Sequence, residues 1–435
     1  MGNLSPGPFR IEVLVSHRAA ASLRRATSTQ AFLGVAMSTA SALGYVFVLI
    51  LSRALGPGDF GGFSSLNSIG IVLAIPAGAF QIVVGSRVAR RGPAALDLRL
   101  PVIVGAAGSV VTIALSPVLA HVTRVDSLLA PLIVGIGVLP LTVGGALMGG
   151  LLGMRRFRAL GLVYLVAGLS RVAAAALAAA LGAGVAGSFA LVVAATTLTT
   201  ALSWWLCRGY AHLPWSRPAG PRMRTLRTLF RSNSSMGVLM ALTSADVVLA
   251  RYVLDSVESG EYALVATLGR APVWVTQFLA LALVPALARS GSRQAVLRGC
   301  ALVLGVCLVG AGVAAAAPEL WVGILGGSAY QDAAGLLLPY LVLGTLLSLA
   351  QVLVIAEMAQ GRHLIAKVAW AAVALEAVLV LTLWHDTPVQ VLTAALVATG
   401  LVVAVGAGEL LLTPQDLVQD DVRVEVPVRL PEEAP

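Results

Sequence analysis

Charged side chains inside long apolar segments are the residues of this sequence that could carry chemistry. Each such charge costs about 2.5–3.5 kcal/mol at the middle of a membrane helix, so its presence calls for a reason. Arg171, Asp246 and Glu376 lie near the middle of their segments, while Arg251 and Arg270 lie nearer one end. A charge at such a position predicts either a polar pathway through the membrane or pairing with an opposite charge.

The clearest polar face follows Arg270. Thr267, Arg270, Trp274 and Gln277 are spaced at i, i+3, i+7 and i+10, which places them along one stripe of a helix. Pro272 in the same segment predicts a bend. Because guanidinium binds phosphate in a bidentate manner and keeps its charge when desolvated, a cavity lined by arginine favours an anionic substrate.

A weaker stripe lies in the second apolar segment, where Asn67, Ile71, Ala74, Gly78 and Gln81 share one face. Polar stripes on two long segments are consistent with a shared hydrated cavity. The alternative is that Asn67 and Gln81 hydrogen-bond neighbouring helices and only hold the bundle together. The sequence leaves both interpretations open.

The two mid-segment acids, Asp246 and Glu376, could couple transport to a proton or cation, or could only pair with arginines. Asp246 and Arg251 are five residues apart, a spacing that does not place them on one helix face. A direct pair between these two is therefore not expected. Coupling and structural pairing both remain possible roles.

The elements that must hold these residues are membrane helices. The chain of 435 residues is 58% hydrophobic and only 11% charged, with a mean hydropathy of +0.92, which is too apolar for a soluble surface. The apolar residues form blocks of about 20, long enough to cross a bilayer. The sequence predicts an all-α polytopic membrane protein of about twelve helices in two six-helix lobes, with blocks near 31–51, 62–84, 101–119, 128–152, 160–182, 187–207, 234–254, 262–288, 299–317, 334–358, 364–384 and 388–411.

The basic residues fix the predicted orientation. Most of the 29 fall on one side of the blocks, which makes that side, and both termini, cytoplasmic. The net charge of +9 is thus a topology signal, and no nucleic-acid partner is expected. The predicted organisation is a basic N-terminal segment at 1–30, lobes at 31–207 and 234–412, a basic cytoplasmic linker at 208–233 and a disordered cytoplasmic tail at 413–435.

An internal repeat supports two related halves. At an offset of 199 residues, Asp59-x-Gly61-x-Phe63 aligns with Glu258-x-Gly260-x-Tyr262. Each motif falls in a predicted outer turn between two apolar segments. The inner turns after the fourth and tenth segments, 153–157 and 360–364, also resemble each other. Repeated halves are typical of alternating-access transporters, which hold substrate between them.

Motifs for catalysis and metal binding are absent from the sequence. It contains no zinc-protease, nucleophile-elbow, Walker or Cys-x-x-Cys pattern, and the five histidines are scattered. We therefore expect no enzymatic activity, no cofactor and no metal site.

Three stretches together resemble the polysaccharide-transport flippases of the multidrug/oligosaccharidyl-lipid/polysaccharide exporter superfamily, which include O-antigen and teichuronic-acid flippases. The stretches are GYVFVLILSRALGPGDFG at 44–61, GGLLGMRRFRAL at 149–160 and GGSAYQDAA at 326–334. The resemblance extends over about residues 31–411. It implies two six-helix lobes around a central cavity lined by the first, second, seventh and eighth helices.

The resemblance also implies a substrate: undecaprenyl-pyrophosphate-linked oligosaccharide, moved across the bacterial cytoplasmic membrane for surface polysaccharide synthesis. By position, Arg53, Arg251 and Arg270 fit residues that meet the anionic pyrophosphate. Arg171 is a fourth candidate for substrate binding, although its helix is not one of those that line the cavity in this family. Membrane lipids and other glycan-assembly proteins are the further partners implied.

Two other functions stay open. One is a cation-coupled multidrug exporter of the same superfamily, although an acidic cavity pattern is not evident. The other is a membrane polymerase or ligase of the glycan pathway. Such enzymes usually carry Arg or His in a large outer loop, and the longest outer loop predicted here, 318–333, has neither.

Overall fold

The computed structural model describes residues 9–210, 235, 237–273, 293–359 and 362–412, with backbone alone for 9–28, 295 and 359. Trp274 and Gln277, two of the predicted cavity residues, lie outside the described residues. So do nearly all of the predicted linker and the whole predicted tail.

Helices make up the described chain. They are α1 (Phe9–Leu73), α2 (Ile75–Arg91), α3 (Arg99–Ala114), α4 (Ser116–Thr123), α5 (Leu129–Gly153), α6 (Phe157–Ala180), α7 (Val185–Cys207), α8 (Ala245–Val253), α9 (Ser256–Gly269), α10 (Arg293–Ala315), α11 (Pro318–Gly326), α12 (Leu337–Ala359), α13 (Leu364–Thr382) and α14 (Pro388–Leu412). Short 3₁₀ helices cover Pro93–Ala95 and Ser328–Leu336.

The described helices overlap every one of the twelve predicted blocks. Within the described residues, eight helices are long and apolar enough to span a membrane, or nine if the bent pair Arg99–Ala114 and Ser116–Thr123 forms one span. One of the eight, Thr29–Arg91, contains two predicted blocks because α1 runs on past its break. The all-α polytopic membrane fold is confirmed.

The break in α1 is at Gly56, where φ is 70° and ψ is 172°. Glycine tolerates this positive φ, and Pro57 then starts the next helix, where its missing N–H is not needed. The stretch predicted as an outer loop near 52–61 is helical on both sides of Gly56, where the regular backbone is interrupted. The motif Asp59-x-Gly61-x-Phe63 lies in the first turns of the part of α1 that begins at Pro57, and not in a loop.

Helices α2 and α5 pack through a stripe of small residues. A Cβ on Gly145, Gly149 or Gly153 would overlap backbone oxygens of α2, at Ala77, Gln81 and Gly85 in turn. Spacing of four residues keeps the three glycines on one face, which lets the two backbones approach closely. The glycines at 149–153 thus have a packing role.

Two compact units can be distinguished by their internal contacts. The first comprises residues 1–240, 247–264 and 319–334, and the second comprises 241–246, 265–318 and 335–435. The segments 247–264 and 319–334 belong to the first unit although they come after the predicted linker at 208–233. The two units therefore differ from the two lobes predicted from the sequence. The lobe boundaries at 31–207 and 234–412 remain predictions.

Candidate functional site

Two helix breaks position the charged residues of the second unit. Before α8 the chain is helical at 237–242 and then turns at 243–244, so Asp246 is the second residue of the new helix. Helix α9 ends at Gly269, and Arg270 occupies the turn that follows. Pro272 explains the second break, because it lacks an N–H and its ring crowds the preceding turn.

Asp246 and Arg270 form a buried ion pair. The Arg270 guanidinium donates from Nη2 to the Asp246 carboxylate, and the side chains are only 14% and 2% exposed. Tyr340, near the start of α12, donates its hydroxyl to Asp246 and accepts from Arg270 Nη2 at 3.1 Å. Asp246 therefore accepts from both Arg270 and Tyr340, and Arg270 donates to both Asp246 and Tyr340. Charged groups can be kept in an apolar interior when they are paired and hydrogen-bonded in this way.

Close backbone packing sets this geometry. A Cβ on Gly269 would overlap the Tyr340 ring, and one on Gly344 would overlap the carbonyl of Gly269. Helices α9 and α12 are thus in direct contact one residue before Arg270. Such contact through small residues is how membrane helices hold polar side chains in fixed register.

Glu376 extends the site. It lies in α13, is completely buried, and neither carboxyl oxygen has a hydrogen-bond partner among the described residues. It interacts electrostatically with both Asp246 and Arg270. A carboxylate buried in an apolar interior is costly, and binding a proton or a small cation would reduce that cost. We call Asp246, Arg270, Tyr340 and Glu376 the charged cluster.

Arg251 has a different environment, in the first unit. It is 6% exposed and donates from Nε to Thr123 O at 2.9 Å, from Nη2 to Arg124 O at 2.9 Å, and from Nη1 to Ser259 Oγ at 2.9 Å and Ser256 O at 3.2 Å. The donor groups of Arg251 are therefore bound to the end of α4 and the start of α9. This geometry favours a structural role, in which Arg251 joins these helix ends. Substrate binding by Arg251 remains a prediction.

Arg53 and Ser52 also join two helices, because both donate hydrogen bonds from α1 to backbone carbonyls of α11. Arg53 Nη2 donates to Ile324 O at 2.9 Å and Gly323 O at 3.2 Å, both in α11. Ser52 Oγ donates to Leu325 O at 2.8 Å. The stretch predicted as an outer loop at 318–333 is folded as α11 and part of the following 3₁₀ helix. Substrate binding by Arg53 is likewise still a prediction.

The repeated glycines of the two motifs meet each other. A Cβ on Gly61 would lie 2.9 Å from Gly260 N, and a Cβ on Gly260 would overlap the carbonyl oxygen of Pro57. Both positions need glycine because the helices starting at Pro57 and Ser256 cross at backbone distance. The repeat seen in the sequence is therefore a paired crossing of two helix starts.

Acidic residues lie around the start of α9. Burial raises the pKa of Glu261, and the nearby charges of Asp332, Glu258 and Asp255 raise it further. The pKa of Glu258 is also raised, by burial and then by Asp255, against an opposing hydrogen bond from the backbone. The carboxylates at this end of the molecule repel one another.

The remaining predicted residues are in the first unit. Gln81 donates to the Tyr164 hydroxyl at 3.0 Å, joining α2 to α6, so it makes the helix–helix bond that was one of the two interpretations. Asn67 is half-buried. Arg171, in the middle of α6, is exposed.

The two similar inner turns make similar contacts. Arg156 Nη1 donates to Leu206 O at 2.7 Å near the end of α7, and Arg362 pairs with Glu409 near the end of α14. Glu357 accepts the backbone N–H of Ile365 at 2.9 Å, which caps the start of α13. The cap at Glu357 and the role of Tyr340 carry no signal in the sequence.

Within the described ranges, no cluster of three or more His, Cys, Asp or Glu side chains could hold a metal ion. The charged cluster contains a buried carboxyl near an ion pair, an arrangement that can bind and release a proton or a monovalent cation. Hydroxyl and guanidinium donors next to it can exchange partners when that carboxyl changes charge.

No protein-family model and no curated protein matches the sequence. Solved structures do match the fold. The lipid II flippase MurJ in an inward closed conformation has a TM-score of 0.69 at 10% identity, covering 88% of each chain. An inward-facing multidrug resistance MATE family transporter of the MOP superfamily has 0.68 at 10%, covering 85% of this chain and 94% of its own.

A third similar structure is a MOP superfamily transporter from Pyrococcus furiosus, whose published description reports a binding pocket of reversed polarity. It has a TM-score of 0.60 at 14% identity, covering 88% of this chain and 96% of that one. Identities this low establish fold and not function. The chain has the polytopic helical fold shared by the MATE transporters and the MurJ flippase.

Proposed function

We propose that the protein is a MOP-superfamily transporter that moves an undecaprenyl-pyrophosphate-linked oligosaccharide across the bacterial cytoplasmic membrane, with both termini inside. The observation that carries the transport proposal is the charged cluster. Asp246 and Arg270 are paired at two helix breaks, and Glu376 beside them has no hydrogen-bond partner in the described part of the chain. Broken helices with ionisable groups are the usual construction of a coupling site in secondary transporters.

The charged cluster has two states that differ in charge. With Glu376 neutral, Arg270 is held by Asp246 and Tyr340. When Glu376 loses its proton or cation, two carboxylates compete for one guanidinium, and the Asp246–Arg270 contact weakens. Because Arg270 lies at a break between helical segments, such a change can alter the angle of the helix that follows. This is the physical basis for coupling ion movement to a conformational change.

Two observations favour a lipid-linked anionic substrate over a drug cation. The sequence stretches at 44–61, 149–160 and 326–334 resemble polysaccharide flippases. Arg171 also adds an exposed positive charge to the membrane part of the first unit. The cation-coupled multidrug exporter is the second candidate, because Glu376 would suit cation exchange and a multidrug MATE transporter has the same fold.

A polymerase or ligase function is less favoured. The segment 318–333 is occupied by α11 and a 3₁₀ helix, and its backbone carbonyls bind Ser52 and Arg53. It therefore serves packing in this structure.

Deletion of the gene in its host distinguishes the candidates. The flippase proposal predicts loss of a surface polysaccharide and accumulation of its lipid-linked precursor inside the membrane, restored by the wild-type gene. Glu376→Gln should fail to restore it at normal protein level, while Arg91→Ala, a change at the exposed inner end of α2, should restore it fully. Altered drug sensitivity with normal polysaccharide would reject the flippase in favour of the exporter.

A further inference from the structure

Arg171 differs from the other three predicted arginines in having no polar partner among the described residues. Arg53 and Arg251 donate to backbone carbonyls, and Arg270 is paired with Asp246. Among the residues that the structure describes, Arg171 makes no hydrogen bond, ion pair or ring contact, and it is exposed. Of these four arginines, Arg171 is the one whose guanidinium is not already bound to another described residue.

The position of Arg171 on α6 shows which way it faces. Successive helical residues are rotated by about 100°, so Arg171 lies about 180° from Leu162 and about 160° from Leu169, which are 44% and 56% exposed. It lies within about 20° of Leu160 and Ala178, each 1% exposed. Arg171 is thus on the packed face of α6, opposite the leucines that suit contact with lipid.

An exposed arginine on a packed face implies open space on the protein side of the helix. At 1.5 Å per residue, Arg171 is roughly 21 Å from the start of α6 at Phe157, in a helix of about 36 Å. A guanidinium facing lipid at that depth would be strongly unfavourable, whereas one facing a hydrated space inside the protein is not. The depth of Arg171 and the face on which it lies therefore favour a position beside a hydrated space and not against lipid.

A hydrogen-bonded pair continues the same line of α6. Tyr164 is seven residues before Arg171, so it lies about 20° away around the helix and roughly 10 Å nearer the inner end. Its hydroxyl accepts from Gln81 Nε2 at 3.0 Å. This side of α6 therefore carries the Arg171 guanidinium and, nearer the inner end, the Tyr164 hydroxyl with the Gln81 amide. These groups suit a ligand in which a phosphate is joined to a sugar rich in hydroxyl groups.

We infer that Arg171 binds the phosphate or pyrophosphate group of an amphiphilic substrate, with the Gln81–Tyr164 pair contacting its sugar hydroxyls. This inference rests on the proposed function, and it moves the anion site from the eighth predicted segment to α6. Arg270, which is neutralised by Asp246, then serves coupling, while Arg171 serves recognition. A guanidinium suits this role because it forms bidentate hydrogen bonds with phosphate oxygens.

Binding to the purified full-length protein tests the inference. Undecaprenyl pyrophosphate, inorganic pyrophosphate and phosphatidylglycerol are titrated separately, and binding is followed by native mass spectrometry. The variants are Arg171→Gln, Arg171→Lys and the control Arg91→Ala, each shown by its thermal unfolding to be folded. Losing hydrogen bonds to a charged group should weaken undecaprenyl pyrophosphate binding by about tenfold or more in Arg171→Gln. The loss should be smaller in Arg171→Lys and absent in Arg91→Ala.

The outcomes separate this inference from the proposed function. Equal affinity of wild type and Arg171→Gln for undecaprenyl pyrophosphate would overturn the Arg171 site and leave the flippase proposal intact. Binding of inorganic pyrophosphate alone, dependent on Arg171, would support the anion site and contradict the lipid-linked substrate. Equal binding of phosphatidylglycerol at the same site would show a general phospholipid contact and overturn the inference, and no binding of any of the three would reject both.

Discussion

The ion pair between Asp246 and Arg270 predicts strong coupling in a double-mutant cycle. Arg270→Met removes the guanidinium that donates to the Asp246 carboxylate, which is only 2% exposed. Removing one member of a buried pair costs about 3–5 kcal/mol in the free energy of unfolding. Asp246→Asn should cost less, because Arg270 is 14% exposed and keeps its bond to Tyr340.

The double variant Asp246→Asn/Arg270→Met should be more stable than the sum of the single changes predicts. It leaves no unpaired charge, so we expect a coupling free energy of about 2–3 kcal/mol, the upper part of the usual range for contacting residues. Unfolding of the purified protein by SDS in mixed micelles, followed by circular dichroism, measures all four forms of the cycle.

The pair Arg362–Glu409 provides a matched control in the same unit. Its arginine is 44% exposed, so its coupling free energy should be at most about 1 kcal/mol. Equal coupling in the two pairs, or a stable Arg270→Met variant, would refute the reasoning that the charged cluster is held by a desolvated ion pair. The double variant should also be inactive in transport although it folds.

Three further predictions concern the helix starts and turns. Gly260→Ala should lower the thermal unfolding temperature, since the new Cβ overlaps Pro57 O, at a cost of about 1–3 kcal/mol in the free energy of unfolding. Gly58→Ala is the control and should not lower it, because its Cβ would meet only Ser256 atoms at 3.8 Å. Equal shifts in the two variants would contradict a close crossing of the helices that start at Pro57 and Ser256. Because the pKa of Glu261 is raised in the folded state, the protein should lose stability as pH rises from the ordinary value of 4.5 through the raised one. Glu261→Gln should therefore raise the unfolding temperature at neutral pH and reduce that pH dependence; an unchanged profile would count against it. Glu357→Ala should speed amide hydrogen exchange at the start of α13, which loses its cap, and unchanged exchange there would argue against capping.

The sequence predicted the membrane fold and the interruption at Pro272. Apolar blocks of about 20 residues dictate helices, and proline interrupts the regular backbone because it lacks an N–H. The breaks at Gly56 and at 243–244 were not predicted. The repeat at an offset of 199 also had a physical cause, because Gly61 and Gly260 allow a close crossing that other residues would prevent. Features set by backbone chemistry within a short stretch could therefore be predicted.

The partners of the charged residues could not be predicted in the same way. Asp246 and Arg270 are 24 residues apart, and Tyr340 is 70 residues beyond Arg270, so their contact depends on how helices cross. The acceptors of Arg53 and Arg251 are mostly backbone carbonyls at helix ends, which every residue type supplies. Position in the membrane suggested four arginines as candidates, and only the structure shows that Arg171 is the one without a partner in the described residues.

Flipping of a lipid-linked oligosaccharide by the reconstituted protein tests the central claim most directly. Proteoliposomes containing a fluorescent undecaprenyl-pyrophosphate oligosaccharide would be given a pH or sodium gradient, and its transfer between leaflets followed with a membrane-impermeant quencher. Wild type should transfer the lipid faster under one of these gradients, and Glu376→Gln should not respond to it. Transfer no faster than in protein-free liposomes, or an equal response by Glu376→Gln, would contradict a flippase that is coupled through the charged cluster.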